Sequence, residues 1–289
     1  MRRALFQFFF LAIVSFGAYS QKTAGNYLYR CNEKLVEIIM EDLFTPPVAS
    51  RVQVYPNIAA YEVLCYKDSR MRPMAGQLTG LSRITAPPNK TDLSLSALIA
   101  FTTVARRLIY SEYMVDEFVR KETVAWLLAN KNDTVLLNNS MAFGRSSGEQ
   151  IIDWMKKDVY DYTRTLTRYI VADSAGAWQP TAPDYGNAIE PNWPLMRSLV
   201  FDSATMIKGV PPTKYSEQKT SGFYKNAYNL YKQSRQLDTT KRLIASFWDC
   251  NPTSPVQQGI SLILFIKFLP AAIGYALPGR RLKTGNWMK

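Results

Sequence analysis

Apolar residues along most of this chain recur at steps of three and four, and no run alternates long enough to make a strand of a sheet. In residues 26–44, Leu28, Cys31, Leu35, Ile38 and Ile39 form one stripe, while Glu33, Lys34, Glu37 and Glu41 fill the rest of the wheel. The spacing predicts an amphipathic helix. Thr45-Pro46-Pro47 then reads as a stop and a restart, because threonine can cap a helix and proline is tolerated in a first turn. The second helix is expected through residues 48–66, kinked or broken at Pro56. Residues 93–109 carry only Arg106 and Arg107 as charges, so this helix should be buried on most sides. Residues 112–129 should place Val115, Phe118, Val119 and Trp126 inward and pack on residues 93–109 as a hairpin. Ser146-Ser147-Gly148-Glu149 has the form of a capping box that would open another helix. The fold class these signals predict is all-α, a helical bundle.

Residues 171–213 break the pattern. They are rich in proline and aromatic residues, too long for an ordinary connection and too poor in flexible residues for a Gly/Ser linker. The expectation is a long ordered arm, held on the helical body by Trp178, Tyr185 and Trp193. Helix then resumes, with Phe223, Tyr224, Tyr228 and Tyr231 on one side, a spacing that predicts core packing. Thr239 or Thr240 can cap a last helix that runs into Phe247-Trp248-Asp249-Cys250.

The two ends differ in composition from this body. Residues 1–20 join Arg2 and Arg3 to an apolar run and a small-residue end before Gln21, the layout of a signal peptide cleaved after Ser20. The chain is therefore expected to be exported, to the periplasm or the outside of the cell; an uncleaved membrane anchor is the alternative. From Val256 to Lys289 there is no acidic residue, and residues 260–277 hold a single charge, Lys267, before Arg280, Arg281 and Lys283. That layout allows a membrane contact through residues 260–277, although Lys267 and Pro270 near the middle count against a span.

The net charge of +12 does not imply a nucleic-acid partner. Arg2 and Arg3 lie in the signal, and Lys267, Arg280, Arg281, Lys283 and Lys289 in the tail, which leaves +5 for residues 21–255. Cys31, Cys65 and Cys250 are far apart and include no Cys-x-x-Cys pair, so each is expected to pack as a small apolar side chain. Asp153, Asp158 and Asp161 do not share a helical face and read as solvated rather than as a cation site. Gly144 to Gly148 could cradle an anion at a helix start, though a capping box explains it without a ligand. The tyrosine stripe of residues 223–231 could hold a sugar or a base, against the default of core packing. The chain has no histidine, which removes His-based acid/base catalysis, His-activated nucleophiles and imidazole metal sites.

Three stretches, residues 45–62, 178–193 and 244–252, resemble in order the amino-terminal helical half of exported bacterial proteins of the vanadium-dependent haloperoxidase family, which is related to the type-2 phosphatidic acid phosphatases. The resemblance covers most of residues 26–252. It implies an all-α bundle that binds vanadate, or phosphate in the phosphatases, with Lys and Arg side chains neutralising the oxyanion and histidines bonding and protonating it. The motifs that supply those residues in the family, Lys-x6-Arg-Pro, Pro-Ser-Gly-His and an Arg followed by His and Asp, are absent here. Lys67 and Arg72-Pro73 imitate the first with a spacing two residues too short. No catalytic, cofactor-binding or metal-ligating residue is therefore carried over, and the chain itself is expected to hold no cofactor, vanadate belonging to full-length relatives.

The tail carries a second trace of the resemblance. Family members continue past this point with Gly-His and then Pro-Gly-Gly-His-Trp. Read one frame over, the codons of Ile260 permit His, and those of Pro270 to Gly274 permit Pro-Gly-Gly-His-Trp. Residues 253–289 are accordingly expected to be an out-of-frame tail on a truncated, inactive family member covering residues 21–252. The alternative is a helical binding or scaffold protein tethered to a membrane through residues 260–277.

Overall fold

A computed structural model describes residues 24–182, 185–201, 206–207 and 209–248. The expected signal peptide, Cys250 and the tail of residues 253–289 lie outside the described residues. Five long helices form the body: α1 (Ala24–Glu41), α2 (Pro46–Leu64), α3 (Leu93–Arg106), α4 (Glu112–Ala129) and α5 (Thr134–Met155). A 3₁₀ turn, Lys156–Asp158, leads into the short α6 (Tyr160–Thr163). Beyond an arm that includes a 3₁₀ turn, Trp193–Leu195, come α7 (Gly222–Ser234) and α8 (Thr239–Trp248). The described residues contain no strand, and none of their helices is long and apolar enough to cross a membrane.

The apolar run of α3 makes it the central helix. Every residue from Ser94 to Ala105 except Thr103 is buried, and α3 packs chiefly against α2 and α5, with α1 alongside. Its contact with α4 is real but smaller, so the expected α3–α4 hairpin is a secondary feature of the packing. Asp92 fixes the start of α3: one carboxylate oxygen accepts from the N–H of Ser94 (2.8 Å) and Leu95 (3.2 Å), the other from Trp126 Nε1 (2.8 Å). One side chain thus caps α3 and locates α4. Asp42, at the end of α1, accepts from the N–H groups of Tyr110 (2.8 Å) and Ser111 (3.2 Å), which seats the start of α4.

Pro56 neither ends nor interrupts α2, which runs unbroken from Pro46 to Leu64. The Val52 carbonyl loses its helical donor there, a cost of about 3 kcal/mol in an exposed helix. Burial of Tyr55, Pro56, Ile58, Ala59 and Ala60 on either side of that gap outweighs it. Thr45 stands at the cap position of α2 but makes no side-chain cap bond, and its Oγ1 is buried without a partner. The start of α2 rests on Pro46 and Pro47, not on the hydroxyl.

The reading of Ser146–Glu149 as a helix start is wrong. The helix begins a dozen residues earlier, where Asp133 accepts from the N–H of Leu136 (2.9 Å), and Ser146 to Glu149 lie inside α5. Gly144 and Gly148 are there because α5 lies directly on α3. A Cβ on Gly144 would meet the Ser96 carbonyl oxygen at 2.6 Å and Ile99 Cβ at 2.7 Å; one on Gly148 would meet Thr103 Cβ at 2.7 Å. Their backbone N–H groups belong to the helix interior, which also removes the anion cradle.

The arm is pinned at one anchor of the three expected. Trp193 is half-buried and sits edge-on to Tyr160, with ring centroids 6.3 Å apart. Nearby, Arg164 Nη2 donates to Glu190 Oε1 at 2.8 Å. Trp178 instead lies exposed against Tyr169, and Tyr185 is 66% exposed. The last two helices also depart from expectation. No residue of α7 is buried, so its tyrosine stripe faces solvent and not a core. The cap of α8 is Asp238, which accepts from the Lys241 N–H at 2.8 Å, in place of Thr239 or Thr240.

Candidate functional site

The most concentrated polar chemistry lies around Asp158, one of the three aspartates read from sequence as a solvated face. Asp153 and Asp161 are exposed, but Asp158 is 1% exposed. The turn that ends α5 carries it inward, and the next residue, Val159, takes a left-handed φ of 60° to redirect the chain. One Asp158 oxygen accepts from Arg51 Nε and from the Tyr55 hydroxyl, both at 2.8 Å; the other accepts from the Tyr160 N–H at 2.9 Å. Arg51 and Tyr55, four residues apart, share a face of α2. The Arg51 guanidinium also lies over the Tyr160 ring, 4.2 Å from its centroid.

Arg197 from the arm closes the cluster. Its N–H donates to the Asp158 carbonyl at 3.2 Å, its Nη1 to the Trp154 carbonyl at 3.1 Å, and its guanidinium covers the Trp154 ring at 4.3 Å. Burial, followed by the charge and hydrogen bond of Asp158, pushes the Tyr55 hydroxyl well above its ordinary pKa. Tyr55 is therefore a fixed donor at neutral pH. The cluster joins α2, the end of α5 and the arm, and its carboxylate is saturated by donors from this chain. It is built as a lock.

Glu62, fully buried on the same helix, organises the loop between α2 and α3. Its Oε1 accepts from the N–H of Met74 (2.6 Å) and Ala75 (3.2 Å), and Arg83 stands 3.3 Å from Oε2. Cys65, one turn on, is buried and free, as is Cys31, and burial raises the pKa of both thiols. Cys31 packs in the apolar core, as the sequence suggested, whereas Cys65 is hydrogen-bonded to Arg83 and Tyr61.

Two clefts open on the surface. One, of about 350 Å³, lies between α3, α4 and α5 and is rimmed by Arg106, Arg120 and Arg145; Arg106 is already bonded to Glu112 at 2.8 Å and lies 3.1 Å from Asp116. The other, of about 410 Å³, lies between Thr45, residues 163–169 and residues 187–192. Neither pairs a nucleophile with a base. Among the described residues no group of three or more Cys, Asp or Glu side chains is placed to hold a metal ion. Lys67, the first residue of the motif imitation, donates to Ser94 Oγ (2.5 Å), and the Arg72 carbonyl accepts from Tyr61.

Vanadate needs several unneutralised donors around one point and an imidazole to bond the metal. The buried guanidinium of Arg51 is neutralised by Asp158, which leaves the half-buried Arg197 as the one charged donor beside it, and the chain has no histidine. The described residues do not fit that group.

Over 79% of the chain the fold nevertheless reproduces a known arrangement. The architecture is that of the vanadium-dependent haloperoxidases, so the resemblance read from the sequence holds at the level of the fold. One solved structure it resembles is the crystal structure of the first bacterial vanadium-dependent iodoperoxidase, with a TM-score of 0.74 and 37% sequence identity over 79% of this chain. The chain spans 56% of the iodoperoxidase's length. No family model matches the chain, and no curated protein matches it significantly.

Proposed function

We propose that this chain is a truncated, catalytically inactive member of the vanadium-dependent haloperoxidase and acid phosphatase superfamily, representing its amino-terminal helical half. The observation that carries this reading is that Arg51, the buried cation among the described residues, is neutralised by Asp158, in a chain without histidine. Oxyanion chemistry depends on preorganised donors aimed at the reacting group, and positioning alone does not replace them. On this reading the chain holds no vanadate, is exported after cleavage behind Ser20, and binds no nucleic acid.

The purified chain, supplied with vanadate, peroxide and iodide or bromide, or with an aryl phosphate, is expected to show no turnover above buffer. Turnover of either kind, or vanadate retained through dialysis, would overturn the reading. The finer part of the proposal is that a frameshift between about Pro252 and Ile260 replaced the family's continuation. Sequencing the gene beyond codon 252 should show the missing motifs in the alternate frame, and their absence there would remove the frameshift.

The apolar stretch at residues 260–277, with one internal charge and a cationic flank, favours a second reading, a membrane-tethered helical scaffold. Retention in the membrane pellet after alkaline extraction would select it.

A further inference from the structure

Three helices turn one side each to the cleft of about 350 Å³ between α3, α4 and α5. Ile99 and Thr103 on α3, Val119 and Thr123 on α4, and Met141 and Arg145 on α5 each stand four residues apart, so each pair shares a helix face and lines the same space. The volume falls at the lower end of the about 300–1,000 Å³ that small-ligand pockets occupy. Its lining is apolar where it meets the core, with Ile99 and Val115 buried and Val119 and Met141 beside them. The hydroxyls of Thr102 and Thr103 are already given to carbonyls of their own helix, at 2.9 and 2.7 Å. Thr123 differs: it lines the cleft, and its Oγ1 is buried without a hydrogen-bond partner. A ligand oxygen would remove that cost.

The charges around the cleft select the ligand. Arg106 is held between Glu112 and Asp116, at 2.8 and 3.1 Å. Arg120 and Arg145 are exposed, and among the described residues neither makes an ion pair or a hydrogen bond. Glu117, which feels the charge of Arg120, is bonded to Lys121. With Arg106 shared between two acids, the lining keeps one positive charge in excess, the complement of a monoanion. An inorganic anion would leave the apolar lining wet, and a neutral hydrocarbon would leave the two guanidinium groups without a partner.

We propose that the α3–α4–α5 cleft is a binding site for a small monomeric amphiphile with a single carboxylate head, its tail lying on Ile99, Val115, Val119 and Met141 and its head held by Arg120 and Arg145. Arginine forks match a carboxylate through paired N–H donors, and Thr123 on the same wall adds a hydroxyl.

Isothermal titration calorimetry of the purified 289-residue chain with octanoate tests this. Saturable binding of one equivalent is expected, at least about tenfold tighter than that of 1-octanol, with none for acetate. Arg120→Gln/Arg145→Gln should weaken octanoate by at least about tenfold and leave octanol unchanged. Both side chains are exposed, so circular dichroism and the unfolding midpoint should not move. Arg120→Lys/Arg145→Lys should restore most of the affinity. Tyr228→Ser/Tyr231→Ser, on the exposed stripe of α7, should bind octanoate as the parent does. Octanol held as tightly as octanoate, octanoate binding indifferent to the arginine pair, or binding lost with the tyrosine pair would overturn the proposal. So would a chain that ignores octanoate and instead sediments with phosphatidylglycerol vesicles through Arg120 and Arg145, since the anion would then be a membrane headgroup.

Discussion

Replacing Asp158 by alanine is expected to lower the free energy of unfolding by about 3–5 kcal/mol, the cost of leaving a buried charge without its partner. Arg51 is 8% exposed and Asp158 1%, so water cannot take over the lost bonds. Tyr55 and the Tyr160 N–H lose their acceptor in the same step. The pair itself need not be stabilising relative to an apolar core, because desolvation of both ions offsets their attraction. The double variant Arg51→Met/Asp158→Leu should therefore recover much of what Asp158→Ala loses. Urea denaturation of the three chains measures this: a loss under 1 kcal/mol for Asp158→Ala would mean that the cluster is wetter and looser than described.

Gly144→Val is expected to destabilise by about 1–3 kcal/mol or more, because overpacking a tight interface forces its backbone apart. The obstacle is the Ser96 carbonyl oxygen, at 2.6 Å from the new Cβ, and not the end of a flexible side chain that could turn away. Separation of α3 and α5 would also strip contacts from Ile99 and Phe143, two buried residues along the same interface. Gly186→Ala is the matched control: nothing lies within 4 Å of its Cβ position, and the change should stay within about 0.5 kcal/mol. Thermal and chemical unfolding midpoints of the two variants provide the comparison, and similar values for both would refute the close approach.

Much of the bundle was legible because its signals are local. The limits of α4 fall at Glu112 and Ala129, as the charge pattern placed them, and α3 starts at Leu93 and stops three residues before the end expected. Motifs that depend on what lies upstream misled. Ser146-Ser147-Gly148-Glu149 satisfies a capping box letter by letter, and only the earlier cap at Asp133 reveals that the helix is already running. Periodicity likewise puts Tyr224, Tyr228 and Tyr231 on one face but contains no information on whether anything covers it.

The polar lock was missed for a related reason. Asp158 and Arg51 are 107 residues apart, and each taken alone resembles a surface charge. One signal was available: Arg51 and Glu62 are the two charges on α2, and a charge on a helix buried nearly all round must have a partner somewhere.

The two buried thiols give the molecule an internal clock. Cys31 is 1% exposed on α1, and burial holds its pKa far above neutral, so a thiolate forms there only when the helices part. Alkylation of Cys31, followed by peptide mass, would then count openings of the bundle one event at a time, and Cys65 would report independently on the loop that Glu62 holds.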